Sequence, residues 1–318
     1  MLAWPSLLAL IALLAAPRLT APTPPPQPII GGERTELTEW TSVVAILGIR
    51  PGFQANANLC TGVLVDPTTV LTAAHCFDDA EDFSEIIVVF GDSIYATTAG
   101  RRTAGLDYAQ HPDYCLPEEC TTDAFDFAYL TLEGEAAGVE LIPPLVDQAE
   151  WDELMRPGVQ VTLVGFGATR DTSSEGDAPL KMSEYGLKRA TTASFQRLTG
   201  DGLEFVAGSE GKDTCGGDSG GPVFAQLAGG GWRLVGITSR GQLPCGTGYG
   251  VYGAPYAALP WLREQTGVDL LPASCAAGDC LDTAAAKERG CRVGGAPSRQ
   301  GGLALLALLF FVRARRRR

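Results

Sequence analysis

Residues 212–222 read KDTCGGDSGGP, with Ser219 set among four glycines, Asp218 directly before it and Cys215 four positions upstream. Glycine and serine are ordinary loop residues, so this stretch alone describes a turn as readily as a reactive centre. A serine hydroxyl becomes a useful nucleophile only when a neighbouring base takes its proton. The rest of the chain must supply that base, a group that orients it and a rigid frame.

Only two histidines are available. His75 closes the run VLTAAHC, at the end of a strand-like stretch and beside Cys76, whereas His111 stands directly before Pro112 in AQHPDY and reads as a structural or surface residue. From Ile29 onward, short apolar or alternating runs recur between Gly, Pro and Asp: TSVVAIL (41–47), TGVLVD (61–66), EIIVVFG (85–91), FDFAYLTL (125–132), VQVTLVGFG (159–167), GPVFAQL (221–227) and WRLVGITS (232–239). Many short strands with frequent turn signals predict an all-β barrel or sandwich. Of the globular part, PYAALPWLREQTG (255–267) alone has a helical pattern, and residues 145–158 read as the join between two similar halves. A length of 318 residues with 45% apolar content suffices for one large β domain or two smaller ones.

Both ends read as processing segments. MLAWPSLLALIALLAA (1–16) is an apolar run followed by Pro17, which predicts a secretory signal over 1–21. The Pro-rich stretch that follows, ending in PTPPPQP at 22–28, is an extended connector and a candidate propeptide, because proline supports neither a helix nor a sheet centre. The globular part is expected over 29–268. Residues 269–300 are rich in small side chains and read as a linker, and GGLALLALLFFV precedes RARRRR in 301–318. Twelve residues reach about 18 Å as helix, short of the roughly 30 Å hydrocarbon core. A membrane helix therefore needs help from its flanks, and snorkelling arginines could provide it.

Nine cysteines agree with export, since disulfides persist in oxidising compartments. In chain order they group as Cys60/Cys76, Cys115/Cys120, Cys215/Cys245 and Cys275/Cys280, with Cys291 left over; spacing does not decide the connectivity. The absence of any CxxC and the scarcity of histidine argue against zinc, and no metal or cofactor is expected. The formal net charge is −13. Setting aside the one Arg before Ile29 and the seven after Cys291 leaves 16 Lys and Arg against 37 Asp and Glu, a net −21. Such a field repels nucleic acid and keeps an exported protein soluble.

The segments LTAAHC, DFAYL and GDSGGP, in that order, resemble the three signatures of the chymotrypsin/trypsin family of serine peptidases, over roughly residues 29–268. The resemblance implies two six-stranded antiparallel β-barrels with a C-terminal helix and a cleft between the barrels. It makes Ser219 the nucleophile, His75 the general base and Asp126 the carboxylate that holds the imidazole. Asp126 matches the pattern because an apolar run follows it, while Asp123 sits in polar loop sequence. The backbone N–H groups of Gly217 and Ser219 would form the oxyanion hole, with side chains at Gly216 and Gly217 obstructing it. Cys60–Cys76 and Cys215–Cys245 would brace His75 and the serine loop.

Asp213 falls where trypsin-like members place the acid of the primary specificity pocket. Gly241 and Gly250 match its small walls, and Ser239 the residue that supports the aspartate. Cleavage after Arg or Lys is the implied preference. Ile29 would carry a free α-ammonium after activation and pair with Asp218. Pro28 precedes it where many zymogens have Arg or Lys, so another protease or stepwise trimming is expected to expose it. Arg240 replaces an aromatic residue common at its place, and Tyr249 a proline.

The tail, with GCRVGG, an apolar block and an Arg cluster, resembles a myxobacterial sorting signal. Cys291 is its candidate lipid anchor, and a plain C-terminal membrane helix is the other reading. The expected partners are polypeptide substrates and, through the tail, a membrane; the protein is expected to act as a monomer tethered to the cell surface. The alternative from another class is an inactive homologue that binds proteins.

Overall fold

The computed structural model describes residues 28–52, 57–95, 102–115, 124–171 and 180–282. Asp123, Cys120 and Cys291, the signal segment and the Arg-rich tail lie outside the described residues. A two-residue strand β1 (Glu33–Arg34) leads into β2 (Val43–Ile49), β3 (Ala57–Asp66), β4 (Thr69–Thr72), β5 (Glu85–Val89), β6 (Arg102–Gln110) and β7 (Ala128–Leu132). Strands β2 to β7 close in the order β2-β3-β4-β7-β6-β5, every neighbour antiparallel. The β3–β4 hairpin is set locally: the Asp66 carboxylate accepts from the Thr68 N–H at 3.0 Å and from its hydroxyl at 2.8 Å.

The second half repeats the architecture with β8 (Gln160–Gly165), β9 (Arg189–Leu198), β10 (Glu204–Gly208), β11 (Pro222–Gln226), β12 (Trp232–Gly241) and β13 (Gly250–Gly253). Their order β9-β10-β13-β12-β11-β8 closes through the β8–β9 pairing, and β1 adds an edge to β9. Two closed six-stranded antiparallel barrels result, as the sequence pattern and the resemblance predict.

Each barrel fills itself. Val44, Ile46, Leu64, Val70, Val88 and Leu130 pack inside the first, and Val161, Leu163, Phe195, Phe205, Val223 and Tyr252 inside the second. A third cluster joins them, with Leu71 and Phe127 from one half, Phe166, Phe224 and Ile237 from the other, and Trp261 of the C-terminal helix Leu259–Thr266. Burying each such side chain contributes about 1.5–3 kcal/mol. The helix stops at Gly267, which adopts the left-handed conformation.

The join between the halves holds a second helix, Gln148–Leu154, capped by Asp147, whose side chain accepts from the Glu150 N–H at 3.0 Å. Past residue 268 the chain does not simply leave. The Leu281 N–H donates to the Val146 carbonyl at 2.8 Å, the Gln148 N–H donates to that of Asp279 at 2.9 Å, and Cys275–Cys280 staples the returning turn. Among the described residues no helix is long and apolar enough to cross a membrane.

Candidate active site

His75 lies in the 3-10 turn Ala74–Phe77 that follows β4, and Asp126 lies just ahead of β7, which pairs with β4. The sheet register therefore sets the two residues side by side. The Asp126 Oδ2 is 2.7 Å from Nδ1 of His75, and its Oδ1 accepts the His75 backbone N–H at 3.0 Å. The Ser239 hydroxyl donates to Oδ2 at 2.6 Å. Asp126 is 5% exposed and His75 30%. Just before Asp126, Phe125 takes φ 46°, an unusual backbone for an aromatic residue, held by its buried ring against His111 at 4.8 Å. His111 thus belongs to the core, packed also on Trp261.

Burial works to lower the His75 imidazole, but the hydrogen bond to Asp126 and the charges of Asp126 and Asp78 hold it above its ordinary value. Burial likewise works to raise Asp126; the hydrogen bond and charge of His75 together with the Ser239 hydroxyl and the His75 amide keep it below its ordinary value. The pair is arranged as an ionised carboxylate supporting an imidazole ready to take a proton.

Ser219 reaches this pair through its backbone. Its carbonyl accepts the Thr61 N–H at 2.8 Å, from the strand position next to Cys60, and Cys60 is disulfide-bonded to Cys76, the neighbour of His75. Cys76 Sγ stands 3.8 Å from the same carbonyl. The Thr61 hydroxyl donates to the Gly217 carbonyl at 2.9 Å, and the Gly220 N–H to Thr238 at 2.8 Å. At Gly220, with φ +78°, a Cβ would fall 1.9 Å from Thr72 Oγ1. Gly217 has φ +96°, a conformation that only glycine adopts readily. A Cβ at Gly216, by contrast, would meet no protein atom within 4 Å, and Gly216 lines the cavity beside Ser219.

Asp218 is buried, its carboxylate taking the N–H of Gly167 at 2.7 Å and of Cys215 at 2.9 Å; burial pushes it up to about 7. Ile29 is fully buried with φ 35°, and Ile30 bridges to Asp213, whose N–H donates to the Ile30 carbonyl at 3.1 Å.

The family model described as Trypsin matches residues 29–262, most of the chain. The chain belongs to the trypsin family. It is 29% identical over 243 residues to "Transmembrane protease serine 9" of Rattus norvegicus, 74% of this chain but only 22% of that protein's length. It is 29% identical to "Trypsin" of Saccharopolyspora erythraea, across 74% of this chain and 97% of that protein. To "Kallikrein-8" of Homo sapiens it is 30% identical, across 68% and 80% respectively.

Against that trypsin-family frame, a cavity of about 140 Å³ opens beside Ser219, lined by Thr214, Gly216, Thr238, Ser239, Gly241 and Cys245 among others. Asp213 does not line it. The residue is 0% exposed, its carboxylate accepting the N–H of the lining residue Thr214 at 2.8 Å and the Gly246 N–H at 3.4 Å, and burial raises it above its ordinary value. Gly250 is buried and pairs with the lining residue Gly241 across β12 and β13. Cys215–Cys245 is bonded across one edge of this cavity, and Cys115 is in a disulfide.

Two contributors went unnoticed in the sequence. Gln110 Nε2 donates to the Ala74 carbonyl at 2.9 Å and to Asp78 at 3.0 Å, steadying the turn that holds His75. Glu204 grips Arg240, and the only local sign of it is a carboxylate opening the apolar run EFVAG.

Proposed function

We propose that the chain is a secreted serine endopeptidase that hydrolyses polypeptides after Arg or Lys, using Ser219, His75 and Asp126. The observation that carries the reading is the hydrogen-bonded set Ser239–Asp126–His75, with the Ser219 backbone tied through Thr61 and Cys60–Cys76 to the same turn. No hydrogen bond joins the Ser219 hydroxyl to the His75 ring among the described residues, and such bonds commonly tighten when substrate binds.

In this reaction Ser219 Oγ attacks the scissile carbonyl while His75 Nε2 takes the hydroxyl proton. The oxyanion that develops is met by the N–H groups of Gly217 and Ser219, neither of which donates to a protein acceptor among the described residues. Losing one such donor costs about 3–4 kcal/mol of transition-state stabilisation. Collapse breaks the C–N bond, and His75 returns its proton to the leaving amine. Water then repeats the sequence on the acyl-enzyme and releases Ser219.

Asp213 supports the Arg/Lys preference because a buried carboxylate without a cation is costly, and a substrate guanidinium or ammonium brings the missing charge. Cleavage before Ile29 would give an ammonium near Asp218 in the same way. Export and surface tethering rest on the two end segments and on Cys291.

Fluorophosphonate labelling tests the nucleophile: we expect labelling of the matured chain and none in Ser219→Ala. Peptide amides ending in Arg, Lys, Phe or Ala test the pocket, and a preference for Phe or Ala overturns the Arg/Lys assignment. A chain that neither labels nor cleaves any of them overturns the peptidase reading in favour of the inactive, protein-binding alternative.

A further inference from the structure

Arg240 and Glu204 form an ion pair beside Ser239 and Ala124. The guanidinium forks onto Glu204 with two bonds of 2.7 Å, Nη1 to Oε1 and Nη2 to Oε2. Glu204, at the start of β10, is 2% exposed. Arg240 is 33% exposed, so Glu204 is the partner that gives up its hydration, and a side-by-side fork is the geometry that best offsets that loss. Each partner then holds one more part of the site. Glu204 Oε1 also accepts the Ala124 N–H at 3.2 Å, two residues before Asp126. Arg240 Nη1 lies 3.4 Å from the Ser239 hydroxyl, which donates to Asp126. The register of β12 against β13 slips between Thr238 and Arg240, so Ser239 stands out of the pairing and is free to aim at Asp126.

We propose that Glu204 and Arg240 are a positioning couple that sets Asp126 against His75, one arm acting on the Ala124–Asp126 segment and the other on Ser239. The inference rests on the peptidase reading for its consequence but not for its geometry. Arg240 also stands in the wall shared by two cavities. One is the 140 Å³ cavity beside Ser219; the other, of about 220 Å³, is lined by His75, Tyr114, Ala124 and Asp126. Loosening the couple therefore acts on the hydrogen-bonded pair first and on the substrate pocket second.

The charged and titratable groups that face His75 are Asp126, Asp78, Tyr114, whose hydroxyl donates to Asp78 at 3.2 Å, and Arg240 across the cavity. Asp126 is the group whose placement the couple controls. When its hydrogen bond slackens, the imidazole loses support for its protonated form and titrates at lower pH.

The test uses the matured chain with Glu204→Gln, Glu204→Ala, Arg240→Lys and Arg240→Ala. In the alanine variants kcat falls by up to about 10²-fold, the scale of a misplaced reacting group, while KM for an arginyl amide moves by less than about threefold. The acid limb of kcat/KM shifts to lower pH. Glu204→Gln, which keeps an acceptor for Ala124, has a smaller effect than Glu204→Ala, and the double alanine variant is no worse than the poorer single, since the two act as a unit.

The same variants in a Ser219→Ala background are titrated by imidazole NMR. Only two histidines give signals, and the His75 signal is the one lost in His75→Ala. A lowered His75 midpoint supports the couple. An unmoved His75 midpoint, with activity lost only in step with the folded fraction, overturns it. A wild-type chain without peptidase activity would instead overturn the functional reading, while the NMR midpoint still decides this one.

Discussion

Asp126 holds His75 by two different atoms, Oδ2 on the ring at 2.7 Å and Oδ1 on the backbone N–H at 3.0 Å. The carboxylate thus fixes both the ring and the turn that carries it. A neutral amide in its place can keep the geometry but presents an N–H where the ring needs an acceptor. Asp126→Asn is expected to lower kcat by about 10⁴-fold, the loss that this swap brings in the Ser-His-Asp template, with the chain still folded. Steady-state kinetics on an arginyl amide checks it; a loss below tenfold would remove Asp126 from the machinery.

His75 is held above its ordinary value, and the reaction needs it neutral to accept the Ser219 proton. kcat/KM for a neutral substrate should fall as pH drops through a midpoint above that of a free imidazole. A pH–rate profile reads this directly, and a midpoint below the free value contradicts it.

Asp213 should add a second acid dependence for cationic substrates alone. Its raised carboxyl takes up a proton as pH falls and then no longer attracts a guanidinium. Arginyl substrates should lose affinity in mild acid more steeply than apolar ones, and Asp213→Ala should remove the difference along with most of the arginine preference. Equal acid limbs for both substrate types would remove Asp213 from recognition of the cation.

Asp218 makes the uncut chain sensitive to pH. Its folded value of about 7 is raised above the unfolded one, so between roughly pH 4 and 7 the folded chain keeps a proton that the unfolded chain has released. Stability falls as pH rises across that window, by on the order of 4 kcal/mol for this group. Thermal unfolding of the uncut chain should show the decline, and Asp218→Asn should flatten it. A cut that frees the Ile29 ammonium should also reduce it.

Cys60–Cys76 closes a sequence separation of 16, so its removal should cost about 3 kcal/mol by loop closure. Cys60→Ala with Cys76→Ala also loosens Thr61 from the His75 turn. Urea unfolding gives the first effect. Fluorophosphonate labelling of the fraction still folded gives the second, expected to be slower than in the parent; an unchanged labelling rate would mean that the strand alone holds Ser219 in place.

The strongest alternating runs were visible without coordinates. EIIVVFG and GPVFAQL enclose β5 and β11, and WRLVGITS lies inside β12, because their apolar residues point into a barrel. Strands β6, β9, β10 and β13 fall outside those runs. In β6, RTAGLDYAQ, no residue is fully buried, so its sequence lacks the apolar mark that its neighbours carry. The helix Gln148–Leu154 was missed for a related reason: of its seven residues only Leu154 is buried, and its stability begins with the Asp147 cap rather than an apolar stripe.

What the amino-acid order determined by itself is local: which runs form strands, where glycine permits φ +96° at 217 and φ +78° at 220, and which residue types could perform proton transfer. Three short motifs, read in order, also carried the family. Tertiary structure alone decided the spatial facts. It buried Asp213 with its carboxylate on the Thr214 and Gly246 N–H groups, and it brought Glu204 from β10 to Arg240 on β12 and on to the Asp126 segment. The physical reason is that hydrogen bonding and desolvation depend on ångström-scale neighbours, and in a closed barrel those neighbours come from strands far apart in the chain.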